Sequence, residues 1–401
     1  MLINVSATTR LAAMASPLTT AYRPWIEESD CGIEDFRAEV SQRTDLADYP
    51  HAVDVRENVL IYPASAPETP DDRRALQAEL IRALSDGPGV VVFENAFAAD
   101  VVDAASDAFF AIIDQQRAQG SAAGDHFGKP GANDRIWNAA QKLAMHAPEV
   151  YAEYYANDTL AVVSQAWLGP RYQMTSQVNV VNPGGQQQVP HRDYHLGFVA
   201  PDDLADYPAH LHRMSPVLTL QGAVAHCDMP VETGPTMLLP YSQRFAAGYI
   251  AFHRPEFIEF FAEQHIQMPL RKGDAIFFNP ALYHGAGTNV SSDVRRIANL
   301  LQISSPFGRA MEALDRTAMV VAVYPALLAM KAAGRSQREL LNVVVATAEG
   351  YPFPTNLDSD QPIGSLAPPS QVDTVLAALG DDLTVEQLEV ALRDKDDRRR
   401  P

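Results

Sequence analysis

Three residues, His191, Asp193 and His284, have the types and the spacing of a mononuclear metal site. His191 and Asp193 are two positions apart, and His284 follows the aspartate after 91 residues. Two imidazoles and one carboxylate on one side of a metal leave its other coordination positions open, which is the arrangement of non-haem Fe(II) oxygenases. The spacing therefore predicts an iron centre that has room for further ligands.

The strand geometry around the first two residues supports the same site. In an extended strand, residues i and i+2 point to one face, so His191 and Asp193 are expected to aim together. Arg192, between them, is expected to point away.

An arginine follows His284 at a distance that suits the binding of an organic co-substrate, because a planar guanidinium can hold a carboxylate through two hydrogen bonds. Arg295 and Arg296 compete for this role. In the strand that follows, the alternate positions in phase with Arg295 are the more apolar, so we place Arg295 inside. A buried arginine without an anionic partner would be costly, which makes a carboxylate ligand its natural complement.

Polar residues also alternate along two upstream strands. Gln177 and Asn179 share one face of the predicted strand 176–182, and valines occupy the other face. Thr219 and Gln221 alternate in the same way with leucines. Amides and hydroxyls that face the metal could form hydrogen bonds with a co-substrate. The alternative is a plain strand with one solvated face.

Four further segments carry a family pattern. They are a helix-to-strand turn at 86–92, a hairpin at 232–237 and 239–244, and a Gly-Asp turn before the second histidine at 272–278. With the triad, they make the chain resemble the phytanoyl-CoA dioxygenase-like Fe(II)/2-oxoglutarate oxygenases, which include ectoine hydroxylase. The resemblance covers roughly residues 70–310. The family usually has a glycine before Ser242, where this chain has Tyr241, and the residues after 310 have no counterpart.

The resemblance implies a double-stranded β-helix (jelly roll, cupin-like) and a reaction in which Fe(II), 2-oxoglutarate and O2 oxidise a substrate C–H bond, releasing succinate and CO2. Related halogenases have a small residue at the position of Asp193, so the carboxylate indicates hydroxylation or another oxidation. The site residues expected from alternation and resemblance are His191, Asp193 and His284 for the metal, and Arg295, Gln177, Asn179 and Thr219 for 2-oxoglutarate.

A second His-x-Asp pattern, His226 and Asp228, is an alternative pair of ligands by motif alone. It lies just before the hairpin that contains Gly234, where the family has an ordinary strand end, so we favour the first pattern. His195 is interpreted as a residue of the pocket wall or the core.

Composition limits the classes of partner. A formal charge of −19 and a pI near 4.9 argue against nucleic acid, because phosphate binding depends on basic patches, and favour a small-molecule substrate. Cys31 and Cys227 are the only cysteines, which indicates a reducing, cytoplasmic setting. No apolar run approaches the ~20 residues that span a bilayer. Residues 1–26 are interpreted as an unprocessed arm.

The pattern along the chain predicts three parts in a protein that is mainly β with flanking helices. Residues 1–70 are expected to form an irregular arm. Residues 71–310 are expected to form the oxygenase domain, with a helical part at 71–169 and the jelly roll at 170–310. Residues 311–401 are expected to form a helical extension, either packed on the barrel or used in a homodimer contact.

The Gly- and Pro-rich loop 124–131, which precedes Arg135 and Trp137, is either a lid over the iron or a simple connector.

Two other classes of function remain open. One is a jelly-roll metalloenzyme of another kind, an isomerase or an oxygenase without a co-substrate, in which Arg295 would have no purpose. The other is a catalytically silent binding module, which would be expected if the triad were incomplete.

Overall fold

The computed structural model describes residues 23–64, 67, 69–120 and 132–401. Its described strands form two sheets. The strands are β1 Asp54–Arg56, β2 Val59–Pro63, β3 Val90–Glu94, β4 Asn133–Ile136, β5 Gln173–Val181, β6 Thr219–Ala225, β7 Met237–Leu239, β8 Ile266–Gln267, β9 Ala275–Phe278, β10 Tyr283–Gly285 and β11 Arg296–Ser304.

The main sheet has eight strands in the order β1-β2-β3-β9-β6-β11-β5-β4. Its strands pair antiparallel except β2 and β3, which are parallel. The small sheet has the order β10-β7-β8 and is antiparallel. Strands distant in sequence therefore become neighbours. In the main sheet, β5 precedes Asp193, β6 and β9 lie between Asp193 and His284, and β11 follows His284.

More of the described residues lie in helices than in strands, so the expectation of a mainly β protein is wrong, and the fold is a large mixed sheet with flanking helices. The α-helices are α1 Ile33–Val40, α2 Pro70–Ser85, α3 Ala99–Ala118, α4 Ala139–His146, α5 Pro148–Tyr155, α6 Asp158–Leu168, α7 Ala209–Met214, α8 Gly248–Ala251, α9 Pro255–Gln264, α10 Arg316–Ala332, α11 Gln337–Thr347, α12 Gln371–Gly380 and α13 Val385–Arg399.

The two faces of the main sheet pack into different cores. On the outer face, residues such as Leu220 and Leu301 belong to the large core that the sheet shares with the helices. On the inner face, residues such as Ile276 belong to a smaller core shared with Leu238 of the small sheet. Because successive strand residues point to opposite faces, both cores draw on the same strands, and a site between the sheets must lie on the inner face.

The N-terminal segment is more regular than expected. Residues 23–64 contain α1, β1 and β2, and β2 is an interior strand of the main sheet. All residues of 59–62 are buried, so this strand lacks the alternation that marks a strand with one solvated face. A strand buried on both faces reads as a continuous apolar run, which explains why the sequence pattern does not reveal it.

The segment after β11 contains helices α10 to α13, and it packs on the body of the protein. Residues of α10 and α11, such as Val323 and Val344, belong to the large core beneath the main sheet. Helix α13 begins with a capping box formed by Thr384 and Gln387. Among the described residues, no helix is both long enough and apolar enough to cross a bilayer.

Candidate metal centre

A two-residue bridge between distant segments brings the two histidines together. The backbone N–H of His191 donates to the carbonyl of His284 at 3.0 Å, and that of His284 donates back at 3.2 Å. Two residues further on, the N–H of Asp193 donates to the carbonyl of Pro280 at 2.9 Å. The segment 191–193 therefore lies antiparallel to β10, and an isolated β-bridge joins it to the edge of the small sheet.

The three side chains converge. Asp193 Oδ2 lies 3.4 Å from His284 Nε2, and Asp193 Oδ1 lies 3.8 Å from His191 Nε2. The imidazole centroids are 4.4 Å apart, and one candidate ligand atom from each residue lies within 4.8 Å of the others. A single ion can contact all three.

Each imidazole is oriented by the carbonyl two residues before it. Nδ1 of His191 lies 3.0 Å from the carbonyl of Val189, and Nδ1 of His284 lies 2.8 Å from that of Leu282. A carbonyl only accepts, so Nδ1 carries the proton, and the lone pair of each ring is on Nε2. Both metal-binding nitrogens thus face the carboxylate, as is typical of metal-bound histidines.

The charges of the site suit a cation. Burial raises the pKa of the Asp193 carboxyl, but His191, His284 and the amide of Gln221 outweigh this effect and hold that pKa well below its usual range. Burial and the nearby His284 lower the pKa of His191. The site therefore offers a carboxylate and a neutral imidazole at physiological pH, the protonation states that bind a metal.

One side of the site stays open. The side chains of His191 and Asp193 are 26% and 18% exposed, whereas that of His284 is 6% exposed. Two imidazole nitrogens and one carboxylate oxygen, oriented in this way, are the donor set that binds Fe(II) and leaves coordination positions free. The residues present therefore fit an iron ion.

The structure places Arg296, not Arg295, inside, so this part of the sequence prediction is wrong. The side chain of Arg295 is 45% exposed, and its Nη2 lies 3.4 Å from Asp134 Oδ2. Arg296 is buried, and its Nη1 donates to the carbonyl of Thr233 at 3.2 Å. Among the described residues, no carboxylate forms an ion pair with Arg296.

The physical reason lies in the two cores. Ile297, Leu301 and Ile303, in phase with Arg295, are buried, but they face the helices rather than the metal. The apolar face of β11 is thus buried against the helices and does not face the space between the two sheets. A ligand pocket between two sheets is lined in part by polar residues, so the less apolar phase, with Arg296 and Gln302, is the one that faces it.

Arg296 lines a cavity of about 40 Å³ between the two sheets. Asn179, across the sheet, lines the same cavity, and its buried Oδ1 has no hydrogen-bond partner among the described residues. Ala223 also lines it, and Gln221, two positions earlier on the same face of β6, contacts Asp193. The cavity and the metal site therefore lie on the same inner face of the main sheet. Burial lowers the pKa of Arg296 to about 10, so the guanidinium remains charged at neutral pH.

Gln221 also belongs to the site, and its contact with the Asp193 carboxylate could not be predicted from the sequence. Its Nε2 donates to Asp193 Oδ2 at 2.5 Å, and its buried Oε1 has no partner among the described residues. The sequence signal is that Gln221 and Thr219 both alternate with leucines, which places both on one face of the strand. Thr219 itself lies away from Arg296, with Oγ1 at 3.4 Å from Nε2 of His195.

Gln177 belongs to a polar row that runs outward from the metal. Gln302 is paired in register with Gln221 and accepts a hydrogen bond at 3.1 Å from Nε2 of Gln177. Arg135, stacked on Trp137 at 4.6 Å, donates to Oε1 of Gln177. Gln177 therefore contacts the row rather than the cavity of Arg296.

Met311, from the segment after β11, touches this row. Its Sδ accepts a contact from Nε2 of Gln177 at 3.6 Å and from the hydroxyl of Tyr194 at 3.4 Å. Tyr194 directly follows Asp193, so the C-terminal extension reaches the surroundings of the metal. The loop 124–131, expected as a lid or a connector, lies outside the described residues.

The second His-x-Asp pattern is not a metal site. His226 is buried between Ser106 and Tyr154, with contacts of 2.9 Å at Nδ1 and 3.0 Å at Nε2. Asp228 accepts from the backbone N–H of Lys272 at 3.0 Å. Both nitrogens of His226 are used within the helix-side core, so the motif here has a structural role.

Comparison with solved structures gives likenesses of low TM-score. The alpha-ketoglutarate-dependent epimerase SnoN of nogalamycin biosynthesis has a TM-score of 0.40 and 19% identity, over 59% of this chain and 82% of its own. The carbocyclase SnoK of the same pathway gives 0.44 and 19%, over 60% and 87%. AviO1 from Streptomyces viridochromogenes Tue57 gives 0.43 and 17%, over 58% and 97%. Likeness at this level does not identify the reaction of this chain.

No curated protein matches the sequence. The family model described as phytanoyl-CoA dioxygenase (PhyH) matches residues 85–297, which is more than half of the 401 residues. The match includes the metal triad and Arg296, and it lies within the span 70–310 in which the sequence resembles this family. The chain therefore belongs to the phytanoyl-CoA dioxygenase (PhyH) family.

Proposed function

We propose that the protein is an Fe(II)- and 2-oxoglutarate-dependent dioxygenase that hydroxylates a C–H bond of a small-molecule metabolite. The observation that carries this proposal is Arg296, a buried guanidinium without a carboxylate partner among the described residues, which lines a cavity on the same face of the main sheet as the metal site. Burying an unpaired charge is costly. A carboxylate-bearing ligand in that cavity removes the cost.

The roles of the residues follow from their positions. His191, Asp193 and His284 would hold Fe(II), which with 2-oxoglutarate and O2 supplies the oxidation and releases succinate and CO2. Arg296 would bind the distal carboxylate of 2-oxoglutarate through its planar fork, and the amide of Asn179 would complete that contact. The chain itself contributes position and the exclusion of water.

The choice of hydroxylation rests on Asp193. Related halogenases have a small residue at the position of this carboxylate, so Asp193 supports hydroxylation or another oxidation rather than halogenation. An isomerase or an oxygenase without a co-substrate would give Arg296 no ligand, and a silent binding module would not need a complete triad. We also propose that the two sheets are the two faces of a jelly roll, which is supported by the site at the mouth between them.

A cytoplasmic location is part of the same proposal. Cys31 and Cys227 are both free, which suits a reducing compartment.

The test is substrate-independent turnover. Purified protein with Fe(II), ascorbate and 2-oxoglutarate in air is expected to form succinate, because these enzymes convert their co-substrate slowly without a substrate. Succinate formation should require Fe(II) and disappear in His284→Ala. Succinate that forms equally without Fe(II), or none at any concentration of Fe(II) and 2-oxoglutarate, would contradict the proposal.

A further inference from the structure

Arg192 lies between two of the metal ligands, yet its side chain is only 2% exposed. Its Nη2 donates to the backbone carbonyls of Ser242 at 2.5 Å and Phe245 at 3.1 Å. Among the described residues, no carboxylate forms an ion pair with it. A fully buried arginine held by carbonyls alone is expensive, so its presence beside the site requires a reason.

Two tyrosine rings replace the missing anion. The guanidinium carbon lies 5.0 Å from the ring centroid of Tyr249 and 5.2 Å from that of Tyr283. Both distances are within the range of cation–π attraction, which is strongest when the cation is desolvated. Tyr283 directly precedes His284, so the side chain of Arg192 connects the segment 191–193 with the strand of the third ligand.

The turn 242–249 holds this connection from the other side. It supplies the two carbonyls and Tyr249, and its Ser242 Oγ accepts from the backbone N–H of Tyr283 at 2.8 Å. The hydroxyl of Tyr283 in turn donates to the carbonyl of Gly248 at 3.1 Å. The guanidinium is therefore the point at which the two ligand-bearing segments and the turn meet.

Gly248 shows that the chain makes room for the guanidinium. A Cβ at this position would lie 1.9 Å from the guanidinium carbon of Arg192 and 2.0 Å from its Nη2, far inside van der Waals contact. Gly248 begins α8 and has no positive φ, so the close approach, not the backbone conformation, requires a glycine. The glycine and the arginine form a matched pair.

We propose that Arg192 is a positioning residue, which clamps the segment 191–193 against Tyr283 and the turn 242–249 and thereby sets the mutual geometry of the three metal ligands. This inference rests on the proposed metal-dependent function. The clamp acts from the side opposite to the metal, because alternation directs Arg192 away from His191 and Asp193. Arg192 would therefore affect iron binding through the positions of the three ligands, without contacting the iron itself.

The test separates positioning from simple stabilisation by a matched control. Arg316 is also a buried arginine that donates to backbone carbonyls, those of Ala346, Thr347 and Met174, but it lies on the helix side of the main sheet. Full-length Arg192→Met, Arg192→Lys and Arg316→Met would be compared with the wild type. Fe(II) affinity would be measured by anaerobic equilibrium dialysis, and stability by thermal unfolding.

We expect Arg192→Met to weaken Fe(II) binding by about 10- to 100-fold, the usual range for residues that orient metal ligands. Arg192→Lys should recover part of the loss, because it keeps the charge and loses the planar fork. Arg316→Met should unfold at a lower temperature and keep the wild-type Kd. If Arg192→Met keeps the wild-type Kd while the wild type binds Fe(II), only this inference falls. If the wild type binds no Fe(II), the proposed function falls with it.

Gly248→Ala tests the same clamp without changing Arg192, in case Arg192→Met does not fold. The added methyl must displace the guanidinium, so Fe(II) binding is expected to weaken. In an Arg192→Ala background, Gly248→Ala should cause little further loss, because the group it would displace is gone. Gly248→Ala with wild-type Fe(II) affinity, or equal losses in both backgrounds, would overturn the proposal.

Discussion

Arg295 and Arg296 are consecutive residues whose guanidinium groups lie on opposite sides of the main sheet. Arg295 lies at the exposed edge of the helix side, where it contacts Asp134 and lies over the ring of Phe110 at 5.3 Å. Arg296 reaches the cavity between the sheets. Substitution of either arginine therefore removes one positive charge, but only the charge of Arg296 lies next to the proposed co-substrate.

We expect Arg296→Met to raise the KM for 2-oxoglutarate in the succinate assay. Loss of a hydrogen bond to a charged group costs about 2 kcal/mol, which corresponds to roughly a 30-fold rise. Arg295→Met is the matched control and should leave the KM unchanged. A rise with Arg295→Met and none with Arg296→Met would reverse our assignment.

The choice between the two His-x-Asp patterns can be tested by iron content. His284→Ala removes a ligand and should abolish stoichiometric Fe(II) binding. His226→Gln should keep its iron and lose about 1–3 kcal/mol of unfolding free energy, because it disturbs the buried bonds to Ser106 and Tyr154. Metal analysis after anaerobic loading, with urea unfolding, checks both. Iron lost from His226→Gln at temperatures where it is folded would contradict this assignment.

Gln221 should affect the metal through Asp193. Without the donor at Nε2, the carboxylate can rotate, so Gln221→Leu is expected to weaken Fe(II) binding by about 10- to 100-fold. Gln302→Leu, at the paired position on the next strand, removes an amide that does not touch Asp193 and serves as the control. Equal Kd values for the two variants in anaerobic dialysis would show that the contact with Asp193 has no effect on the metal.

Acid sensitivity should come in part from His226. Burial lowers its pKa to about 3, whereas an unfolded chain has a histidine pKa near 6.5. Above pH ~6.5 both states are neutral and the contribution to stability is complete. As the pH falls from there toward 3, only the unfolded state takes up the proton, so stability is lost. Between pH 6.5 and 5 the loss is about 2 kcal/mol.

The measurement is urea unfolding of metal-free protein at both pH values. Other histidines contribute equally to the wild type and to His226→Gln, so the difference between the two proteins isolates His226. A wild type that loses no more stability than the variant over this interval would show that His226 is not held neutral.

The metal triad could be predicted from the sequence because three residue types at two spacings define it, and a local bridge is enough to assemble them. The orientation of Arg296 could not be predicted in the same way. Alternation shows that Arg295 and Arg296 face opposite sides of the strand. It does not show which of the two sides packs against the helices and which faces the space between the sheets. That choice depends on the layer of helices, which is a property of the whole fold.

The same reasoning applies to β2 and to Arg192. β2 lacks the alternation of a half-exposed strand because the sheet buries both of its faces. Alternation predicts that Arg192 points away from the metal, but it does not show whether the side chain is buried or solvated. Its burial depends on Gly248 and Tyr249, more than 50 residues later, and no local pattern connects them.

Met311 touches both Tyr194 and Gln177, although it lies beyond residue 297, where the family match ends. Part of the rim around the reactive centre is thus built from sequence that membership of the family does not describe. Two relatives that agree throughout the matched region and diverge after it will present different rims to incoming molecules. The substrate selectivity of this protein is therefore expected to depend on residues after 297 as well as on the region that matches the family.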